Sequence, residues 1–366
     1  MNNNAQKFFR RISLVITIII LIAIPFSNAS AKLRAISQER FLMDTIMQLK
    51  INVDDSIADL QAQNILNSAF EFLAKIDSLL SIYNSESEIS RVNANSGKSA
   101  VKVDAITLES VLQARKFYDI SEGVFNPLIG SVTKLWKINR HDGTIPSKSD
   151  LESAIELSNI TNLELTREPE PEIFLKSAGC VIDLGGIAKG FASEKVAEYI
   201  RSTGVKSALI NLGGNVYVIG KNIRETNWVI GVQNPLSPRN KPALVLGVSD
   251  CAVVTSGNYE RYKIIDGKRY SHFFDPMTGE SVNSNLLSVT IISPDGSMSD
   301  ALATAFMISG FERSVEILRK MNPAPHAVFI QQSESESASN DGGLVIFADE
   351  ALKEKIISSE FPVKYY

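Results

Sequence analysis

From residue 205 to residue 293 the sequence is a succession of strand-like segments without a helical pattern between them. One strong helical pattern follows; it starts at Asp300, is broken at Gly310 and continues to Lys320. Helices and strands therefore occur in blocks and not in regular βαβ alternation, which favours an α+β fold over a doubly wound α/β fold. We expect mixed, largely antiparallel β-sheets with packed helices. The predicted strands of this region cover 207–219, 227–233, 243–254, 260–274 and 286–293.

The first half of the chain contains clear periodic segments. Apolar residues alternate over 45–53, which predicts a half-buried strand. They then recur at helical spacing, which predicts an amphipathic helix over 57–80. The further predicted elements are a helix near 105–120, a short helix to Ser158 with Ser149 and Glu152 as its capping box, a strand at 179–184 and a helix over 187–204 that stops at Gly204.

The length of 366 residues suggests two domains or one large α+β unit, because single hydrophobic cores rarely grow beyond roughly 250 to 300 residues. We expect residues 32–366 to form one domain, with room for two closely packed subdomains. Residues 331–343 are polar and of low complexity, and we predict a disordered loop there, between two strands.

Residues 1–31 resemble a secretory signal peptide. Lys7, Arg10 and Arg11 precede an apolar run over 12–24, and small residues follow at 29–31. The alternative is an uncleaved membrane anchor, although the run is shorter than the ~20 residues that span a bilayer. Cleavage would remove three positive charges and no negative one, leaving the chain more acidic than its formal charge of -4. Without a basic patch, we expect no nucleic-acid surface.

The chain contains two cysteines, Cys180 and Cys251, each within an apolar run. An oxidising compartment would permit a disulfide between them, and two buried thiols are the other interpretation. A structural metal site would need more ligands than these two.

Two glycine-containing segments lie where a strand is predicted to end. In DLGGIAKG, residues 183–190, glycines allow close approach of the backbone to a ligand, and the free amides of a helix N-terminus favour an anion such as a diphosphate. The spacing matches neither the dinucleotide nor the phosphate-loop pattern, so ordinary turn chemistry is an alternative. In NLGGN, residues 211–215, a tight turn between strands is at least as good an interpretation as a ligand site.

Two further segments carry side chains that suit chemistry. Asp300 and Thr304 are four residues apart, so on a helix they would present a carboxylate and a hydroxyl to one hard cation. Spacing alone favours a simpler role for Asp300, or for Ser299, as a helix cap. His272, in RYSHFFDPMTG, is a candidate general base or a partner for phosphate, and a hydrogen-bonded structural histidine is the alternative.

Taken together, these segments resemble the ApbE family of FAD:protein FMN transferases in order and spacing, over nearly the whole chain after the leader. The matching segments are MDT (43–45), SIYNSESEISRVN (81–93), SEGVFNPLIGSVTKLW (121–136), DLGGIAKGFA (183–192), NLGGN, TSGNYERY (255–262), RYSHFFDPMTG and DALAT (300–304).

The resemblance implies an ApbE-like fold and specific roles for individual residues. Asp300, Thr304 and the backbone carbonyl of Gly186 match the magnesium ligands of the family, and His272 matches a histidine implicated in transfer. The positions that match the FAD site are Met43, Tyr83, Val124, Phe125, Asn126, Asp183 and Lys189. The chain departs from the family where many members have Met-Gly-Thr, because it has Asp44, and where many have Phe-Asp-Pro, because it has Asn126.

The reaction that the resemblance implies is magnesium-dependent transfer of FMN from FAD to a threonine of an exported acceptor protein, with release of AMP. Such acceptors belong to electron-transfer complexes and carry a Ser/Thr-Gly-Ala-Thr-like segment. We therefore expect a periplasmic protein, or one at the outer face of the cytoplasmic membrane. The leader lacks the cysteine that lipid attachment requires. The alternatives are an FAD pyrophosphatase that releases FMN and AMP, an FAD-binding protein without turnover, and an interaction protein that uses its polar loop.

Overall fold

The computed structural model of the chain describes residues 33–138, 144–333 and 343–366. Within these residues the contacts of Leu33–Tyr366 form a single unit. The described α-helices are α1 (Asp59–Leu80), α2 (Glu88–Ala94), α3 (Ala105–Ile120), α4 (Gly130–Trp136), α5 (Lys148–Leu157), α6 (Ala188–Ser202) and α7 (Gly296–Lys320).

Most of the described elements after residue 205 are strands. They are β1 (Arg34–Leu42), β2 (Thr45–Val53), β3 (Val101–Lys102), β4 (Leu163–Thr166), β5 (Glu172–Leu175), β6 (Ala208–Leu212), β7 (Asn215–Ile219), β8 (Trp228–Gln233), β9 (Pro242–Val248), β10 (Cys251–Gly257), β11 (Tyr262–Ile265), β12 (Lys268–Ser271), β13 (Leu286–Ser293), β14 (His326–Gln332), β15 (Leu344–Ala348), β16 (Ile356–Ser359) and β17 (Val363–Tyr365).

A nine-stranded sheet organises the fold, in the order β1-β2-β6-β7-β10-β13-β14-β15-β17. Its neighbouring strands are antiparallel except for the parallel pair β15 and β17. Three smaller sheets have the orders β16-β9-β8, β3-β5-β4 and β11-β12. The prediction of an α+β fold with largely antiparallel sheets is therefore confirmed.

The two faces of the large sheet bury different layers. Helices α1, α6 and α7 pack on one face, where Leu66, Phe70 and Leu73 of α1 are fully buried, as their spacing of three and four residues requires. Burial of such a side chain contributes about 1.5 to 3 kcal/mol. The opposite face packs against the small sheet β16-β9-β8, with Ile230 and Leu246 in the second core. The sheet is thus held between a helical layer and a second β layer.

The helix that carries Asp300 begins earlier than the sequence indicated. Asp295 is the N-cap of α7, because its carboxylate accepts a hydrogen bond from the backbone N–H of Met298 at 2.7 Å. The prediction that α7 starts at Asp300, or is capped there or at Ser299, is therefore wrong. The predicted break at Gly310 is confirmed, since this residue has a φ of 78° and a ψ of 177° inside the helix.

Five other predictions need correction. Ser147, and not Ser149, caps α5 through the backbone N–H of Asp150. The apolar segment 179–184 is not a strand; it contributes one isolated bridge, from Val181 to Ile129. The long strand predicted over 260–274 is the hairpin β11–β12, and it ends before His272. The predicted strands 207–219 and 243–254 are likewise divided, each by a turn.

Some features of the sequence fall outside the described residues. These are the predicted leader 1–31 and most of the polar loop, 334–342; Gln331 and Gln332, which we assigned to that loop, complete β14. Among the described helices, none is both long and apolar enough to cross a membrane. Cys180 and Cys251 are buried free thiols.

Candidate active site

A cleft of about 1230 Å³ opens at the end of the large sheet, next to the N-terminus of α6. All eleven residues that the sequence analysis assigned to catalysis, FAD or magnesium line this cleft, although they come from segments spread over more than 250 positions. They are Met43, Tyr83, Val124, Phe125, Asn126, Asp183, Gly186, Lys189, His272, Asp300 and Thr304.

Two hairpin turns form one rim of the cleft. Met43 and Asp44 connect β1 to β2 with φ values of 47° and 58°, and Gly213 and Gly214 connect β6 to β7 with φ values of 68° and 100°. Two-residue turns with positive φ at both positions match the twist of the flanking strands. A Cβ atom on Gly213 would lie 2.6 Å from Cγ2 of Thr45, so this turn requires glycine. NLGGN is therefore a tight turn, as one interpretation held, and it also borders the cleft.

The DLGGIAKG segment enters α6 with a defined loop geometry. The Asp183 carboxylate accepts hydrogen bonds from the backbone N–H of Gly185 at 2.9 Å and from the hydroxyl of Thr133 at 3.1 Å. Ile187 precedes the helix and provides no side-chain cap. The N–H of Ala188 donates to the backbone carbonyl of Leu184, and the next N–H groups of α6 depend on partners from elsewhere in the chain.

Asp300 supplies one of those partners. Its Oδ2 accepts a hydrogen bond from the backbone N–H of Gly190 at 2.8 Å, so it caps the neighbouring helix α6 and not its own. Asp300 is 5% exposed, and this burial raises the pKa of its carboxyl. Lys189 and the backbone N–H groups of Lys189 and Gly190 act in the opposite direction. A carboxylate has about four lone-pair sites, so capacity for a further cationic partner remains.

Thr304 and Gly186 complete a set of oxygen donors next to Asp300. The Thr304 hydroxyl lies 3.5 Å from the backbone carbonyl oxygen of Gly186, and it is one helical turn from Asp300. Carboxylate, hydroxyl and carbonyl oxygens are the donors that magnesium accepts. The residues present therefore fit a hard cation. The described residues contain no group of three or more His, Cys, Asp or Glu side chains that could hold a metal. Among these three oxygen donors, the Asp300 carboxylate is the charged one.

A contact between two glycines sets the distance between α6 and α7, the two helices next to these oxygen donors. A Cβ atom on Gly190 would lie 2.5 Å from Cβ of Asp300 and closer still to the carbonyl oxygen of Gly296. Gly296 is the first residue of α7, and a Cβ there would lie 2.6 Å from the carbonyl oxygen of Gly190. The absence of both side chains lets α7 approach α6 until Asp300 reaches the amides of α6.

His272 follows directly after β12, half-buried at the cleft wall. Its Nδ1 lies 3.0 Å from the backbone carbonyl oxygen of Arg261, so the neutral ring carries its proton on Nδ1 and keeps Nε2 as an acceptor. The pKa of His272 is lowered from its ordinary value of 6.5 to about 4, chiefly by desolvation and also by the charges of Arg261 and Lys189, while the hydrogen bond with Arg261 acts in the opposite direction. The ring is therefore neutral at pH 7.

The residues that the sequence analysis assigned to FAD differ in exposure and in their existing contacts. Tyr83 is 69% exposed, whereas Phe125 is buried, with its ring edge 3.1 Å from where a Cβ of Gly186 would be. Both polar atoms of the Asn126 side chain bind backbone groups: Nδ2 donates to the carbonyl of Ser158 at 2.9 Å, and Oδ1 accepts from the N–H of Leu128 at 2.9 Å. An aspartate could not make the first of these bonds, which accounts for asparagine at this position.

The cleft also contains residues to which the sequence analysis gave no role. Asp77 accepts a hydrogen bond from the backbone N–H of Met43, and burial raises the pKa of its carboxyl. Burial likewise raises the pKa of Tyr259 to about 12. Asn215, which also lines the cleft, belongs to the motif NLGGN, and Tyr259 belongs to TSGNYERY, so the resemblance pointed to the segments of both residues. Asp77 lies in the amphipathic pattern of α1, and nothing in the sequence marked it as a site residue. The described residues that line the cleft include five cationic side chains: Lys134, Lys137, Lys189, Arg239 and Arg261.

Comparisons with known proteins identify the family of the chain. The model of the ApbE family matches residues 43–329. An FAD:protein FMN transferase from Treponema pallidum is 32% identical over 327 residues, covering 86% of this chain and 90% of the relative. One from Klebsiella pneumoniae is 31% identical over 300 residues, covering 82% and 90%.

Solved structures show the same fold. The flavin transferase ApbE from Vibrio cholerae superimposes with a TM-score of 0.75 at 26% identity, covering 88% of this chain and 99% of that one. The apo form of the flavinyl transferase ApbE from Pseudomonas stutzeri has a TM-score of 0.76 and covers 90% and 98%. These matches confirm the resemblance drawn from the motifs and the prediction of an enzyme: the chain belongs to the ApbE family.

Proposed function

We propose that this protein transfers FMN from FAD to a threonine hydroxyl of an acceptor protein and releases AMP. The observation that carries the proposal is the convergence of the eleven predicted residues on one cleft that combines oxygen donors, cationic side chains and a neutral histidine. The names of the relatives support flavin transfer from FAD. Magnesium, the threonine target and an exported acceptor are our own extension.

Asp300, Thr304 and the Gly186 carbonyl would hold the metal. Magnesium at this position would neutralise charge on the diphosphate of FAD and so stabilise the departing AMP. Lys189 adds a fixed positive charge beside Asp300, and the positive end of the α6 helix dipole favours an anion. Asp183 holds the loop that leads into α6, through its bond to Gly185.

His272 is positioned to accept the proton of the attacking hydroxyl. The threonine oxygen would form a bond to the phosphorus on the FMN side, the bond from that phosphorus to the bridging oxygen would break, and AMP would leave with that oxygen. The proton of the hydroxyl would pass to Nε2, because Nδ1 is engaged by the Arg261 carbonyl. A pKa of about 4 makes a weak base, and the negative charge of bound diphosphate would raise it.

The proposed site of action is outside the cytoplasm. The predicted leader over residues 1–31 supports export to the periplasm or to the outer face of the cytoplasmic membrane. The acceptor would then be an exported subunit of an electron-transfer complex with a Ser/Thr-Gly-Ala-Thr-like segment. Edman or mass-spectrometric analysis of the native N-terminus tests whether the leader is removed.

The enzymatic test uses the protein without its leader, FAD, magnesium and an acceptor domain, with in-gel flavin fluorescence and AMP release as readouts. We expect labelling in magnesium and none after chelation. Asp300→Asn is the informative variant, because the amide oxygen can still accept the hydrogen bond from Gly190 while the charge is lost. We expect at least a hundredfold loss of labelling with little change in thermal stability.

Asp295→Asn is the matched control, since it changes another aspartate of α7 that lies outside the cleft and keeps the capping oxygen. It should label the acceptor at the wild-type rate. Labelling that persists in chelator, or in Asp300→Asn, would refute the metal assignment. Release of AMP and free FMN without acceptor labelling would refute the transferase proposal in favour of FAD hydrolysis.

A further inference from the structure

Asn215 is a buried polar residue of the cleft. It is the first residue of β7, is 3% exposed and lines the cleft behind the Gly213–Gly214 turn. Among the described residues, neither its Oδ1 nor its Nδ2 has a hydrogen-bond partner. Leaving an amide buried and unpaired costs about 1 to 3 kcal/mol, and nearly all buried polar groups of native proteins are paired.

The register of the sheet shows which face Asn215 occupies. Asn215 pairs with Leu212, and Tyr217 pairs with Ile210, so these four side chains project to the same face. Leu212, Ile210 and Tyr217 belong to the core on the helical side of the sheet, where α6 packs against β7. The carboxamide therefore lies on the same side as the helix that begins next to Gly186 and Lys189, and the glycine turn beside it has no side chain to cover it.

The chemistry of the side chain limits what can satisfy it. A phosphate group accepts hydrogen bonds without donating them, and a metal ion would engage Oδ1 alone; each would leave half of the amide unpaired. A flat heterocycle with an N–H beside a carbonyl or ring nitrogen satisfies both halves at once, as in the pairing of asparagine with adenine. FAD offers two such edges, one on the flavin and one on the adenine.

We propose that Asn215 binds the donor–acceptor edge of one ring of FAD through two hydrogen bonds. This inference rests on the proposed function, since it takes FAD as the ligand of the cleft. It assigns to Asn215 a binding role in the NLGGN turn. Because neither amide atom has a partner in the part of the chain that the structure describes, the carboxamide can take either orientation and can match either ring.

The test is a titration with FAD in chelator, which prevents turnover, comparing wild type with Asn215→Leu by calorimetry. Leucine has a similar volume and removes both unpaired atoms. We expect FAD to bind about ten- to a hundredfold more weakly to the variant, as the loss of two hydrogen bonds predicts. We also expect the melting temperature of the ligand-free protein to stay equal or to rise, because no existing hydrogen bond is lost.

Asn52→Leu is the matched control. Asn52 is an equally buried asparagine of the same large sheet, its Oδ1 is also unpaired, its Nδ2 donates to the hydroxyl of Ser207, and it lies outside the cleft. This variant should melt at a lower temperature and bind FAD as the wild type does. FMN and AMP, titrated separately, identify the ring: the fragment whose affinity falls in Asn215→Leu is the one that Asn215 contacts.

Equal FAD affinity in Asn215→Leu and wild type would overturn this inference alone. So would a lowered melting temperature with unchanged affinity, which would mean that Asn215 binds a structural water. A wild-type protein that binds no FAD either in chelator or with magnesium present would overturn the proposed function and this inference with it. If Asn215→Leu does not fold, Asn215→Ala carries the same comparison, with the same expected loss of FAD affinity.

Discussion

Replacing Gly190 with alanine tests whether the contact between α6 and α7 positions Asp300. The new Cβ would lie 2.5 Å from Cβ of Asp300 and closer to the Gly296 carbonyl oxygen, below the 3.0 Å that real Cβ atoms respect. Neither obstacle is a flexible side-chain end, so the helices must separate, at a cost near the upper end of the 1 to 3 kcal/mol typical of overpacking. The better helix propensity of alanine offsets about 1 kcal/mol.

The expected net loss in free energy of unfolding is therefore about 2 kcal/mol, which lowers the melting temperature of a chain of this length by about 3 °C. The displaced Asp300 should also raise the magnesium concentration needed for half-maximal AMP release. Differential scanning calorimetry and a magnesium titration measure the two effects. The control is Gly247→Ala, whose Cβ would meet the side chain of Ile357 at 3.3 Å, outside the cleft. Wild-type stability and wild-type magnesium dependence in Gly190→Ala would refute the reasoning.

Three further predictions concern single residues. The pKa of His272 is about 4 in the folded protein and 6.5 without its surroundings, so the unfolded state binds more protons between these two pH values. The free energy of unfolding should therefore fall as the pH falls from 6.5 to 4. Urea unfolding at a series of pH values should show a weaker fall in His272→Asn than in wild type. Asn126→Asp loses the bond to the Ser158 carbonyl and should lose about 1 to 3 kcal/mol in the same assay, and an unchanged midpoint would contradict that role. Gly310→Ala forces a side chain to a φ of 78° and should lower the free energy of unfolding by about 1 to 3 kcal/mol in spite of open space around it, which chemical denaturation would detect.

The elements that the sequence predicted well are those with long, one-sided periodicity. In α1 the apolar stripe continues for more than five turns, and in α6 Gly204 marks the end with a φ of 88°. The start of α7 was misplaced because the apolar pattern begins after Asp300. The capping residue, Asp295, lies before that pattern and acts through the hydrogen bond that its carboxylate accepts from the backbone N–H of Met298. Helix α2 was missed because it has two buried apolar residues, Ile89 and Val92, in a polar segment.

The segment 179–184 shows a different limit. Cys180 and Ile182 are fully buried, so the residues are as apolar as those of a central strand. Their backbone bonds go elsewhere: the N–H of Ile182 donates to the side chain of Asn93. Apolar composition reports burial, and the choice between strand and buried loop depends on partners that are distant in the chain.

The candidate site was recognisable from the sequence through the resemblance, because each motif alone had an ordinary explanation. Asp300 illustrates this: four-residue spacing suited a cap as well as a metal, and the structure shows a cap on a helix that begins 112 residues earlier in the chain. The unpaired state of Asn215 depends on the packing of several elements, so no local pattern could signal it.

The central claim is that FMN leaves FAD for a threonine, and peptide mapping of the acceptor measures it most directly. Wild-type enzyme is incubated with FAD, magnesium and acceptor, after which tandem mass spectrometry locates the modification and chromatography quantifies AMP. We predict one FMN on one threonine and an equal amount of AMP. AMP with free FMN and an unmodified acceptor, or a flavin attached at another residue type, would contradict the account.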